Sequence, residues 1–302
     1  LMKEKLASQS FEADILFKYR FLSDFDMYGM RWYKVEGKEV SAQFSRTDIT
    51  FACEKIEEAE EENAELKVMA LDIETTAKLG KPDPKRDKII MISLAFSPSF
   101  NGKENLVLIS KPVPFNENTL CFVDEKSMLE NFKEIVLRYD PDVIVGFNIN
   151  SFDLPFIRKR FEENKIKGDI GRTKDKPLLS KKTGESFRNH ILGRIIVDIY
   201  EIVKELTEKG FLRLKRYGLD EVAKHLIGEG KVDVKHGEIT KIWESKDLEN
   251  LKKLIEYSRT DAILVLRIFR EKRILDKYVE LSKVCGLLLQ DVLDEGEAAK
   301  IE

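Results

Sequence analysis

Histidine and cysteine are scarce in this chain of 302 residues, which has three of each. Cys53, Cys121 and Cys285 are odd in number, far apart and free of any CxxC spacing. That pattern argues against a disulfide framework or a zinc knuckle, and it predicts reduced thiols in a cytoplasmic protein. Long apolar runs are missing too. None reaches the roughly 20 residues needed to span a bilayer, and the opening LMKEKLASQ has no signal-peptide core, so no membrane is expected among its partners. A surplus of positive charge is also lacking. With a net charge of −3, any contact with nucleic acid has to come from local patches. What the chain does have is charge of both signs, at 35% of residues, on an apolar fraction of 42%. Those proportions describe a globular protein with an ion-pair-rich surface and ample length for a large core.

The clearest punctuation is EKIEEAEEENAEL at 54–66, with seven glutamates against one lysine, expected to be a solvated helix or linker between domains. Before it, pieces such as MRWYKV, with a turn at Glu36-Gly37, predict part of a small α+β unit. After it the pattern is regular. LKVMALDIE (66–74), KIIMISLAF (88–96), NLVLIS (105–110) and DVIVGFN (142–148) predict buried strands. Met128, Leu129, Phe132, Ile135 and Val136 predict a helix over 126–138, and Ser151 is the expected N-cap of the next one. GRIIVDIYEIV (193–203) predicts a strand running into a helix, and LDEVAKHLIG a short helix stopped by Gly228. A long helical pattern runs from Ser245 to about Leu281. The fold class expected is α/β, with a mixed sheet flanked by helices.

Four acidic residues stand out by position. Asp72 and Glu74 are two apart on a strand, so both side chains leave the same face. Taken alone, such a pair is more often a sheet edge meeting solvent. Asp153 lies at a helix start, where an aspartate often serves only the helix dipole. Tyr257 and Asp261 are four apart on a helix and share a face with apolar neighbours. A buried carboxylate there needs a partner, and Arg259 or a lysine elsewhere would be the simplest one. Taken together, these elements can converge on one sheet edge. Four oxygen donors without histidine or cysteine select Mg²⁺ or Mn²⁺, and two such ions about 4 Å apart are an arrangement for phosphodiester cleavage.

LDIETT, GFNINSFDLPFI and YSRTDA resemble, in order and spacing, the exonuclease motifs I, II and III of family B DNA polymerases. Asn148 stands five before Asp153, Phe152 is adjacent to it, and Tyr257 four before Asp261 matches the tyrosine subclass of DEDD exonucleases. FEADILFKYRFLSDFDMYGMRW, VDIYEIVKEL, GLDEVAKHLIG and ELSKVCGLLLQDV resemble further stretches of archaeal members. The resemblance implies a ribonuclease-H-like exonuclease domain over 66–275. It also implies a partial N-terminal domain with its acidic linker over 1–65, and a connection toward a polymerase palm over 276–302.

The resemblance also implies site roles. Asp72 would bridge two ions, Glu74 and Asp261 would hold the one activating water, and Asp153 would serve the one near the leaving oxygen. Tyr257 would orient the water, and Asn148 and Phe152 would contact a frayed 3′ end. The partners implied are single-stranded or frayed DNA, a deoxynucleotide product and the polymerase domains of the same protein. The palm motifs do not occur in the chain, so primer extension is not implied, and no template-uracil pocket is assigned. The Leu-Met start and acidic end favour a piece of a longer polymerase over a naturally short or split one. Competing expectations are a stand-alone or RNA-directed DEDD nuclease and a non-catalytic assembly module. Residues 165–188 hold eight Lys/Arg against three Asp/Glu, which fits a solvated loop or a phosphate guide, and Arg213, Lys215 and Arg216 beside Tyr217 are similarly ambiguous. His190, His225 and His236 are expected to be structural or surface residues.

Overall fold

The computed structural model describes residues 15–62, 64–114, 118–184, 186–230 and 238–294. They form two compact units. One is built from the described parts of 1–41, 49–64 and 275–302, and the other from 42–48 and 65–274.

The smaller unit contains helix α1 (Phe17–Asp24) and strands β1 (Tyr33–Glu39) and β2 (Phe51–Glu58), which pair antiparallel. The acidic run therefore begins as strand rather than helix or linker, with its charge offset by one lysine across the ladder and one within β2. Lys38 pairs with Glu54, and Lys55 with Glu57. Glu36-Gly37 is a bulge within β1, not a turn. Glycine is required there, since a Cβ would lie 2.2 Å from the Ala52 carbonyl oxygen. Lys18 Nζ sits 2.6–2.7 Å from both carboxylate oxygens of Asp291, tying the start of this unit to its end.

The larger unit is built on a six-stranded mixed sheet. Its strands are β3 (Val68–Thr75), β4 (Ile89–Phe100), β5 (Lys103–Ile109), β6 (Thr119–Cys121), β7 (Val143–Gly146) and, beyond the β8–β9 hairpin, β10 (Ile195–Asp198), in the order β10-β7-β3-β4-β5-β6. Strands β10, β7 and β3 are mutually parallel, and β4 is antiparallel to β3 and β5. The central strands read as continuous apolar runs because both faces are covered. Met69, Leu71 and Ile73 face helices α2 (Glu125–Tyr139) and α3 (Asp153–Glu163). Met91 and Val107 pack on the other face with Leu251, Leu254 and Ile255 of α7 (Leu248–Glu271). Between α3 and α7 come the hairpin of β8 (Leu179–Thr183) and β9 (Ser186–His190), then α4 (Ile199–Glu208), α5 (Leu219–Ile227) and α6 (Ile239–Glu244). The basic segment 165–188 thus includes most of a hairpin rather than only a loop.

Helix α2 follows its apolar spacing and opens with a capping box, in which the Ser127 N–H donates to Asp124 Oδ1 at 2.8 Å. It ends where Asp140 turns left-handed at φ +52°. Ser151 does not cap α3. Phe152 takes that position, because the preceding turn folds back on the Asn148 carbonyl. The long C-terminal pattern splits in two, since Arg273 at φ +47° separates α7 from α8 (Ile274–Cys285), which is followed by α9 (Leu289–Asp294). Among the described residues no helix is long and apolar enough to cross a membrane.

Candidate active site

The alternation of β3 sends Met69, Leu71 and Ile73 toward α2 and α3, so Asp72 and Glu74 project from the opposite face. Helix α7 covers that face. It starts at Asp247, whose Oδ1 accepts from the Glu249 and Asn250 N–H groups, and its apolar residues fix its rotation. The result brings three of the four predicted acids together. Carboxylate oxygens of Asp72, Glu74 and Asp261 lie within 4.8 Å of one another. Glu74 and Asp261 are buried, and Asp72 is half-buried. Arg259, the simplest salt-bridge partner for Asp261, is directed at Thr119 Oγ1 (3.1 Å) and Glu256 (3.6 Å).

Asp153 stands apart from that trio but lines the same cavity, of about 800 Å³, as do Tyr257, Asn148 and Phe152. It is 3% exposed, and its Oδ1 accepts from the Ile73 N–H at 3.1 Å. Burial, with the charge of Asp198 nearby, pushes its carboxyl up to about 8. The turn leading to it needs a glycine at the end of β7, because a Cβ on Gly146 would lie 2.5 Å from that of Ile149. Asn148 in this turn is left-handed at φ +64°.

The same cavity is also lined by aromatic side chains. Phe147, Phe152, Tyr200 and Tyr217 all line it, with Phe147 edge-on to Tyr200 at 5.7 Å and Tyr200 to Tyr217 at 6.2 Å. Three clustered carboxylates and aromatic surfaces in one cavity suit a ligand that carries both phosphate, brought in with cations, and an unpaired base.

Asp198 and Tyr200 lie in VDIYEIVKEL, whose resemblance to archaeal members assigns neither of them a role; the local signal is an aspartate at a strand-to-helix junction. Asp198 is buried at the start of α4, and burial with the charge of Glu201 pushes it up to about 7 despite three N–H donors. Other expected residues fall elsewhere. Lys167 is paired with Asp175, and Arg172 with Asp140 and Asp142. Lys174, Lys176, Lys181 and Lys182 are exposed, and none of the described residues of 165–188 lines the cavity. His190 and His225 are exposed away from the cavity, and His236 lies outside the described residues.

Residues 8–222 match the family model described as DNA polymerase family B, exonuclease domain. Tyr257 and Asp261 fall beyond that range, and the packing of α7 is what brings them to Asp72. The chain is 30% identical over 293 residues to the DNA polymerase of Archaeoglobus fulgidus, covering 96% of this chain and 33% of that one. It is 32% identical over 302 residues to DNA polymerase 2 of Aeropyrum pernix, with 96% and 34% covered. The DNA polymerase delta catalytic subunit of Plasmodium falciparum is 30% identical, with 96% and 29% covered. The solved structure of the family B DNA polymerase from the hyperthermophilic archaeon Pyrobaculum calidifontis superposes with a TM-score of 0.79 at 25% identity, over 97% of this chain and 35% of that one. The chain thus spans about a third of the length of these relatives. It belongs to the exonuclease-domain family of the family B DNA polymerases.

Proposed function

We propose that residues 66–275 carry a 3′→5′ exonuclease that shortens a single-stranded or frayed DNA 3′ end, the editing part of a DNA-directed DNA polymerase. The observation behind this is the convergence of Asp72, Glu74 and Asp261 within 4.8 Å, in the cavity that Asp153 and Tyr257 also line. Like charges so close repel unless cations lie between them. The donors are all carboxylate oxygens, which fits Mg²⁺ or Mn²⁺ better than zinc. Asp72, Glu74, Asp153 and Asp261 are the residues that would hold a pair of such ions. When bound, the ions neutralise phosphate charge and lower the pKa of an attacking water.

The chain's own residues do the rest by placement. The Tyr257 hydroxyl orients the water by a hydrogen bond. It is not needed as the base, because bound ions would already lower the pKa of that water. Phe152 and the Phe147–Tyr200–Tyr217 wall stack on unpaired bases, and Asn148 contacts the terminal nucleotide. A base inside a duplex presents no free face to such a wall, which selects frayed ends.

A 5′-labelled oligodeoxynucleotide incubated with Mg²⁺ tests the proposal. The parent should yield a ladder of shortened products, and folded Asp72→Ala should yield none. An Asp72→Ala protein as fast as the parent would overturn the assignment. Faster cleavage of a matched RNA strand would instead indicate an RNA-directed nuclease.

A further inference from the structure

Three backbone N–H groups converge on one buried carboxylate outside the acidic cluster. Asp198 is 4% exposed and stands where β10 passes into α4. Its Oδ1 accepts from the Asn148 N–H at 2.8 Å and the Tyr200 N–H at 3.0 Å, and its Oδ2 accepts from the Asn150 N–H at 3.0 Å. The bond to Tyr200 is an ordinary helix cap. The other two are of a different kind, because they reach 50 and 48 residues back in the chain and grip the turn that carries Asn148 and Phe152.

That turn has a conformation it would not hold alone. Asn148 sits at φ +64°, a region unfavourable for a residue with a Cβ, and such a backbone persists only where its surroundings fix it. Asp198 fixes the N–H groups on either side of Ile149. Asn189 Nδ2 supports the turn from behind, donating to the Asn150 carbonyl at 2.8 Å, while Asn150 Nδ2 donates to Glu201 at 3.0 Å. Asp153 has its own anchor in the Ile73 N–H, apart from the bonds that hold the turn.

We propose that Asp198 is a positioning residue: its two oxygens lock the 147–152 turn so that Asn148 and Phe152 meet the 3′-terminal nucleotides. This rests on the exonuclease assignment above. A carboxyl group suits the task because each of its oxygens can accept from an N–H group. Asparagine has the same shape but offers only one acceptor oxygen, and its NH₂ faces one of the N–H groups. Serine would keep the cap to Tyr200 but is too short to reach the turn.

The test compares the full chain with Asp198→Asn and Asp198→Ser, measuring KM and kcat on a single-stranded oligodeoxynucleotide, calorimetric Mn²⁺ affinity and the thermal midpoint. The expected result is that KM for the strand rises about tenfold or more in both variants, the scale of losing a hydrogen bond to a charged group. Mn²⁺ affinity should not weaken by more than about threefold, and the thermal midpoint should fall by only a few degrees, the scale of leaving buried N–H groups unpaired. A folded variant with the parent's KM would overturn the proposal. So would strand KM, Mn²⁺ affinity and thermal midpoint all worsening together, or both variants failing to fold, since either outcome makes Asp198 structural only. A parent that leaves the strand intact would instead sink the exonuclease assignment, and this proposal with it.

Discussion

Ser93 Oγ and Ser258 Oγ lie 2.6 Å apart, both at 0% exposure, where α7 crosses the centre of the sheet. Ser93 is the cross-strand neighbour of Asp72, and Ser258 follows Tyr257, so this bond sets α7 against the strand bearing the acids. Either serine replaced by alanine leaves a buried hydroxyl unpaired. The expected cost is about 1–3 kcal/mol in urea unfolding, and the double alanine variant should recover part of it. Additive single losses would show that the hydroxyls are not coupled.

Divalent ions should stabilise the folded chain, because they relieve the repulsion among Asp72, Glu74 and Asp261. Mn²⁺ at a hundredfold excess over its Kd should add about 2.7 kcal/mol, read as a raised thermal midpoint that EDTA reverses. Asp72→Ala should lose most of the increase. A midpoint indifferent to Mn²⁺ would mean that the acids hold no ion.

Glu125 and Arg160 form a buried pair that locks α2, α3 and the start of β4 together. Glu125 Oε1 accepts from Arg160 Nε at 2.8 Å and from the Ile89 N–H at 2.8 Å, while Oε2 accepts from Arg160 at 2.5 Å and Asn164 at 3.2 Å. Arg160→Ala strands the carboxylate at 5% exposure, and the expected loss is about 3–5 kcal/mol in chemical denaturation. A loss under about 1 kcal/mol would mean that the remaining N–H donors satisfy Glu125 alone.

Much of this was legible in the chain because packing on both sheet faces leaves a plain trace. The apolar runs of β3, β4 and β7 and the 3–4 spacing of α2 are consequences of burial, and they place Asp72 and Glu74 on one face. What the sequence did not reveal depends on partners distant in the chain. The glutamates at 54–58 lie in a strand paired with β1, where Lys38 meets Glu54 across the ladder. Lys272 and Arg273 are ordinary helix formers, so nothing local marks the break between α7 and α8. Asp198 looks like any helix cap until the turn 48–50 residues earlier is seen against it.

Asp169 makes stability depend on acid pH in a predictable direction. Burial alone would raise its carboxyl, but Lys133 Nζ at 2.5 Å and Arg46 at 2.5 Å hold it at about 2. Its folded value lies below its unfolded one. The stabilisation is therefore complete above the ordinary carboxylate range near 4, and it drains away as pH falls toward 2. The depression corresponds to about 2 kcal/mol. Unfolding free energies measured from pH 5 to pH 2 should fall for the parent by about that much more than for Asp169→Asn, whose side chain does not titrate. Parallel curves for the two proteins would show that neither cation stabilises the charged form, and that Asp169 holds residues 42–48 against the sheet domain by shape and neutral hydrogen bonds alone.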